Sequence, residues 1–184
     1  MKIACLGWGS LIWDPRNLDI DGEWRNDGPR LPVEFARKSM DGRLTLVLLK
    51  GAEPVQVLWS MMETDDLEYA RKNLQDREGA YYISAIHYTE RDTGVSDIPE
   101  ALESVRAWLG NKELDAAIWT GLGSNFKEKT GMTFNEENAV KYLSTLTGEK
   151  RRKAKEYIQR TPLQVRTAVR EKVEEELGWE PVEG

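Results

Sequence analysis

Cysteine and histidine are almost missing from this sequence, which holds one of each, Cys5 and His87. A single Cys excludes a disulfide framework within the chain, and a single His excludes a multi-His metal site. Any Ser-His-Asp or Cys-His catalytic triad would have to use His87. No segment approaches the roughly 18 apolar residues that a membrane-spanning helix needs. The apolar run ahead of Gly7 is also too short for a secretory signal. A basic excess is missing as well. The chain has 26 basic and 32 acidic residues and a net charge of -6, whereas nucleic-acid-binding domains are usually basic. The expectation is a cytoplasmic protein with a reduced thiol and neither a membrane nor a nucleic acid as partner.

What is present describes an ordinary folded domain. A length of 184 residues suits one domain, or one domain with a small helical appendage. Such a chain buries roughly 70% of its surface without a staple. Tryptophan is the unusual entry in the composition, with seven copies. Most large aromatics belong to cores, but Trp8, Trp13 and Trp24 fall in a glycine-rich region where a pocket wall is also expected.

Residues 2–6 form a short apolar run stopped by Gly7, which reads as a buried strand. Residues 14–32 are polar and rich in Pro and Gly, and they read as a long loop of the kind that often carries function. Strands are predicted over 33–39, 43–49 and 55–62, the first two joined by an Asp41-Gly42 hairpin signal. Thr64 is the expected cap of a helix running to about residue 75. Residues 81–88 are aromatic and β-branched and predict a strand. Asp97 and Pro99 open a helix ending near Gly110, and 115–120 predicts one more strand. Three helical patterns follow, at 136–146, 150–160 and 162–177, with Thr161 as the start signal of the last. The class is α+β. The expected division is residues 1–134, carrying the strands, and residues 135–184, a helical extension packed on the same domain.

Two stretches could carry chemistry. The first is Gly7-Trp8-Gly9-Ser10-Leu11-Ile12-Trp13, directly after the first strand. Glycines there allow a sharp turn and let a ligand approach peptide N–H groups, which can cradle an anion or a polarised carbonyl. The pattern is not a phosphate loop, a dinucleotide fingerprint or a Gly-x-Ser-x-Gly elbow. The plain alternative is a tight strand-exit turn. The second stretch is Asp76-Arg77-Glu78-Gly79-Ala80-Tyr81-Tyr82, between a helix end and a strand start. A carboxylate partly buried beside aromatic rings becomes a competent base or acid near neutral pH. The plain alternative is a surface Arg-Glu turn. A third stretch, from Trp119 to Phe126, repeats the form of the first and offers Thr120, Ser124 or Asn125 as hydrogen-bonding side chains. It also reads as a turn beside a core Trp. A Cys5–His87 dyad is conceivable, although a buried structural Cys is the commoner outcome.

Taken together, the first two stretches resemble the gamma-glutamylcyclotransferase-like family. Gly9-Ser10-Leu11-Ile12-Trp13 is similar to the family's loop, and most similar to that of its glutathione-degrading branch, with Trp8 where the family usually has Tyr. Arg77-Glu78 followed by Tyr81-Tyr82 is similar to the Arg/Gln-Glu pair that precedes a strand in the family. The resemblance covers about residues 2–90. It implies a small mixed β-barrel with flanking helices and a pocket at the loop. It also implies Glu78 as the catalytic residue, and Trp8, Gly9, Ser10, Leu11, Tyr82 and Asn125 as substrate-binding residues. The implied activity is release of 5-oxoproline from a small gamma-glutamyl amide or peptide, with no metal and no cofactor. Two rival readings stand beside it. One is a non-catalytic relative that binds a small ligand or a protein through the same pocket. The other is a nucleic-acid adaptor using the basic tract at 150–155, whose plain reading is a solvated helix face.

Overall fold

The opening apolar run becomes β1 (Ile3–Gly7), buried along its whole length. The computed structural model describes residues 1–182. Next come β2 (Arg30–Leu31), β3 (Val33–Lys38), β4 (Leu44–Leu48), β5 (Val55–Gln56) and β6 (Leu58–Met61). These are followed by α1 (Leu67–Glu78), β7 (Ile86–Glu90), β8 (Gly94–Val95), α2 (Pro99–Gly110) and β9 (Ala116–Thr120). Four helices close the described chain: α3 (Phe126–Thr130), α4 (Glu136–Ser144), α5 (Gly148–Arg160) and α6 (Ala168–Leu177). The class is α+β. No helix among the described residues is long and apolar enough to cross a membrane.

The chain divides into two compact units. The first holds residues 1–31 and 56–122, and the second holds 32–55 and everything from 123 onward. The β3–β4 hairpin falls in the unit that also holds the C-terminal helices.

In the first unit five strands form a mixed sheet in the order β6-β1-β9-β7-β8. β1 runs parallel to β9 and antiparallel to β6. β7 lies antiparallel to β9 and carries the two-residue strand β8 at the edge. Strand pairs close no barrel among the described residues, which corrects the expected closed β-barrel. β3 and β4 pair with each other in a separate two-stranded sheet. Side chains alternate across a sheet, so Cys5, Ile118 and Tyr88, which are aligned across β1, β9 and β7, share one face. That face builds a core from Ile3, Cys5, Ile86, Ala116 and Ile118 against Ala70 and Leu74 of α1, with Leu11, Leu18 and Met62.

α1 begins at Asp66, whose carboxylate accepts the N–H of Tyr69. The expected cap, Thr64, instead accepts the N–H of Asp66 one step earlier. The helix runs to Glu78, past the expected end near 75, and stops at Gly79 in a left-handed conformation with φ 64°. The N–H of Ala80 then returns to the carbonyl of Gln75, the usual closure after a left-handed residue. The strand predicted at 81–88 forms only from Ile86. Tyr81 and Tyr82 are exposed, and residues Ile83–Ala85 make one 3-10 turn.

α2 starts with Pro99 in its first turn, as its sequence signal predicts. Its Trp108 meets Trp59 edge to face at 5.5 Å. Both indole N–H groups converge on Asp27 of the long loop, that of Trp59 on the carboxylate at 2.8 Å and that of Trp108 on the backbone carbonyl at 2.9 Å. Lys112, with Trp59, holds the Asp27 carboxyl below the usual carboxylate range. The loop is thus pinned by its own polar residues.

In the second unit, Glu34 of β3 is buried and accepts the N–H of Val169 in the first turn of α6. A carboxylate there complements the helix dipole. α6 begins at Ala168 with Thr167 as its cap, not at residue 162 after Thr161. Thr161 is buried, and its hydroxyl donates to the Tyr157 carbonyl at the end of α5. Arg170, fully buried, donates to the carbonyls of Thr161, Pro162 and Val165. It thereby ties down the turn that the sequence pattern had read as helix.

Candidate functional site

The strand-exit loop folds into a tight hydrogen-bonded turn. The N–H of Ile12 donates to the Gly9 carbonyl at 3.0 Å, and that of Asp14 to the Ser10 carbonyl at 2.9 Å. Ser10 and Leu11 therefore occupy the opening positions of the turn, where N–H groups have no acceptor within the turn itself. The Leu11 side chain is buried in the core that α1 shares with the sheet, and it anchors the loop from below. Gly9 is buried and Ser10 half-buried.

Gly7 shows why a glycine stands at the strand exit. A Cβ there would lie 2.7 Å from the Trp24 ring, inside van der Waals contact. Gly7 and Cys5 are two residues apart on one strand and face the same way. Trp24 therefore lies over the face that carries Cys5.

The end of α1 meets this loop through Arg77. Its side chain is 4% exposed and that of Glu78 is 19% exposed. Arg77 Nη1 donates to Glu78 Oε1 at 2.7 Å. Arg77 Nη2 donates to the Asp14 carbonyl at 2.6 Å and reaches Ser10 Oγ at 3.5 Å. Arg77 Nε is buried and has no protein partner among the described residues. The Arg77 carbonyl accepts from Arg16 Nη1 at 3.4 Å. One guanidinium thus spans the two stretches that the sequence singled out.

Cys5 lies within electrostatic reach of the same pair. Burial pushes its thiol well above its ordinary range, the Glu78 carboxylate adds to the shift, and the Arg77 guanidinium opposes it. A thiol so shifted stays protonated and is a poor nucleophile. The Cys5–His87 dyad is ruled out by the pleat. Cys5 shares a face with Tyr88, and His87 therefore points to the opposite one. On that opposite face the His87 ring lies edge-on to Trp119, their centroids 6.2 Å apart. It is pressed so closely by Gly121 that a Cβ there would clash with the ring.

No protein family, no curated protein and no solved structure matches this chain. The site must therefore be read from its own geometry.

The predicted residues sort into three groups. Ser10 and Glu78 are brought together through Arg77, with Gly9 and Leu11 flanking Ser10 in the turn. Trp8 is buried, and Tyr82 is 68% exposed just beyond the α1 cap. Asn125 belongs to the second unit. Its side-chain oxygen accepts the Lys38 N–H at 2.8 Å and its amide donates to the Lys38 carbonyl at 3.1 Å. These bonds fasten β3 to the start of α3. Residue-type reasoning missed Arg77 as the link, because it treated Arg77-Glu78 as a pair and not as a bridge. It also missed that Cys5 lies within electrostatic reach of Glu78. The signal available was the two-residue spacing of Cys5 and Gly7, which puts both on the side of β1 that α1 covers.

The arrangement offers a half-buried carboxylate held by a guanidinium, a hydroxyl, and the N–H groups of Ser10 and Leu11 at the opening of a turn. That set can move a proton at a bound amine and stabilise a developing oxyanion.

Proposed function

We propose that this protein is a gamma-glutamylcyclotransferase-like enzyme that releases 5-oxoproline from a gamma-glutamyl amide or peptide. The observation that carries the reading is the Arg77 bridge, which links the Glu78 carboxylate to Ser10 and Asp14 of the glycine loop. The loop sequence and the Arg-Glu pair support the reading by resemblance. The open sheet departs from the closed barrel that the family implies, so the proposal rests on the loop and on Glu78 rather than on the fold.

The chemistry balances with these groups alone. An α-amine has an ordinary pKa of about 8, so part of it carries a free lone pair at neutral pH, and the base is needed for the proton that this nitrogen sheds as it attacks. Glu78 takes a proton from the substrate α-amine. The amine nitrogen attacks its own γ-carbonyl, and the turn N–H groups of Ser10 and Leu11 receive the developing oxyanion. The amide C–N bond breaks, and Glu78 returns the proton to the leaving amine. Attack within one molecule gains from proximity, which lets a single base suffice.

Glu78→Gln should keep the fold and lower 5-oxoproline release by about two to four orders of magnitude. Turnover equal to the wild type in that variant would remove Glu78 from the mechanism. A second reading, a binding protein without turnover, draws on the ion pair itself. The Arg77 guanidinium already engages Glu78 Oε1 at 2.7 Å, so that oxygen is occupied before a ligand arrives. Tight binding of gamma-glutamyl ligands without 5-oxoproline would favour it.

A further inference from the structure

The turn after Glu78 exposes more apolar surface than a connecting turn needs. Tyr81 is 87% exposed, Tyr82 68% and Ile83 40%. The two tyrosine rings stand edge to face with centroids 4.6 Å apart. Their backbone is pinned on both sides. Ahead of Tyr81, Gln75 Nε2 donates to the Ala80 carbonyl at 2.9 Å, and the Ala80 N–H returns to the Gln75 carbonyl. Behind Tyr82, the Ala85 N–H donates to the Tyr82 carbonyl. Contiguous exposed aromatics held on fixed backbone usually mark a contact surface. They supply broad apolar area at little conformational cost.

The pair stands close to Glu78 along the chain. It begins three residues after Glu78, within about 11 Å of chain. The charges on the last turn of α1 are already matched, Asp76 by Lys72 and Glu78 by Arg77. The exposed surface that follows α1 is therefore apolar, and the acidic side chains just before it are paired.

We propose that Tyr81 and Tyr82 form a platform for the leaving-group side of the substrate, and that this group is apolar or aromatic. The inference rests on the gamma-glutamylcyclotransferase reading and narrows it. The substrate class is a gamma-glutamyl amide of a hydrophobic amine or amino acid. A cationic or strongly polar leaving group gains little from this surface.

The test compares kcat/KM for gamma-glutamyl-phenethylamide and gamma-glutamyl-glycine, followed by 5-oxoproline release. The wild type should favour the aromatic amide by about tenfold or more, the range that apolar pocket contacts give. In Tyr81→Ser/Tyr82→Ser the ratio should fall toward one, with circular dichroism confirming the fold. A ratio reads substrate choice, so a general loss of activity does not mimic the result. Turnover of both amides with no preference, or a preference that survives the double variant, overturns the platform and leaves the cyclotransferase reading intact. No product from either amide overturns that reading, and the platform with it.

Discussion

At the residue scale, Arg77 is the side chain on which the candidate site turns. A planar guanidinium can hold a carboxylate and a backbone carbonyl at once, whereas an ammonium offers a compact charge with no fixed fork. Arg77→Lys keeps the charge and loses the fork. It should cost about 1.5–3 kcal/mol, the range for hydrogen bonds to charged groups, seen as a lower midpoint in urea unfolding. An unchanged midpoint would mean that the bridge contributes nothing to the fold.

His87 makes a second residue-scale prediction. It is 2% exposed, and burial lowers its pKa; the Asp97 carboxylate pulls it back up, and Arg71 adds to the lowering. The folded state therefore resists the proton that the unfolded chain accepts at about pH 6.5. Stability from this group is present above that pH and is lost as the pH falls through it. His87→Gln should flatten the fall in urea midpoint between pH 7.5 and 5.5. An equally steep fall in the variant would assign it to other groups.

At the scale of elements, local signals worked where they coincided with packing. β1, α2 and β9 follow their punctuation closely, because a Gly or Pro stop falls where the apolar face ends. Residues 81–88 failed for a physical reason. Tyr and Ile favour strands by fitting a half-buried surface, but Tyr81 and Tyr82 have no neighbouring strand to fit against, and β7 starts only where β9 can pair with it. The start of α6 failed because Thr161-Pro162 imitates a helix opening while Arg170 holds those carbonyls in a turn. At the start of α1 the expected cap was Thr64, but Asp66 is the residue that meets the N–H of Tyr69. Asp66→Ala should cost about 1 kcal/mol, while Thr64→Ala should cost less, measured by thermal or urea unfolding. The opposite order would restore the cap expected from the sequence.

At the scale of the whole molecule, scarcity of Cys and His directs attention to carboxylates and backbone donors. Of the site, the glycine loop and Glu78 were legible as motifs. The bridge between them was not, because it depends on α1 running one turn longer than its pattern and ending against the loop. The closed barrel was expected from resemblance alone, and strand pairing produced an open mixed sheet instead. The central claim is that the wild-type protein closes a gamma-glutamyl amide on itself. Incubation with such an amide in water enriched in oxygen-18, followed by mass spectrometry, tests it directly. The account predicts 5-oxoproline carrying no solvent oxygen. Glutamate labelled with one solvent oxygen, or recovery of the amide unchanged, would contradict it.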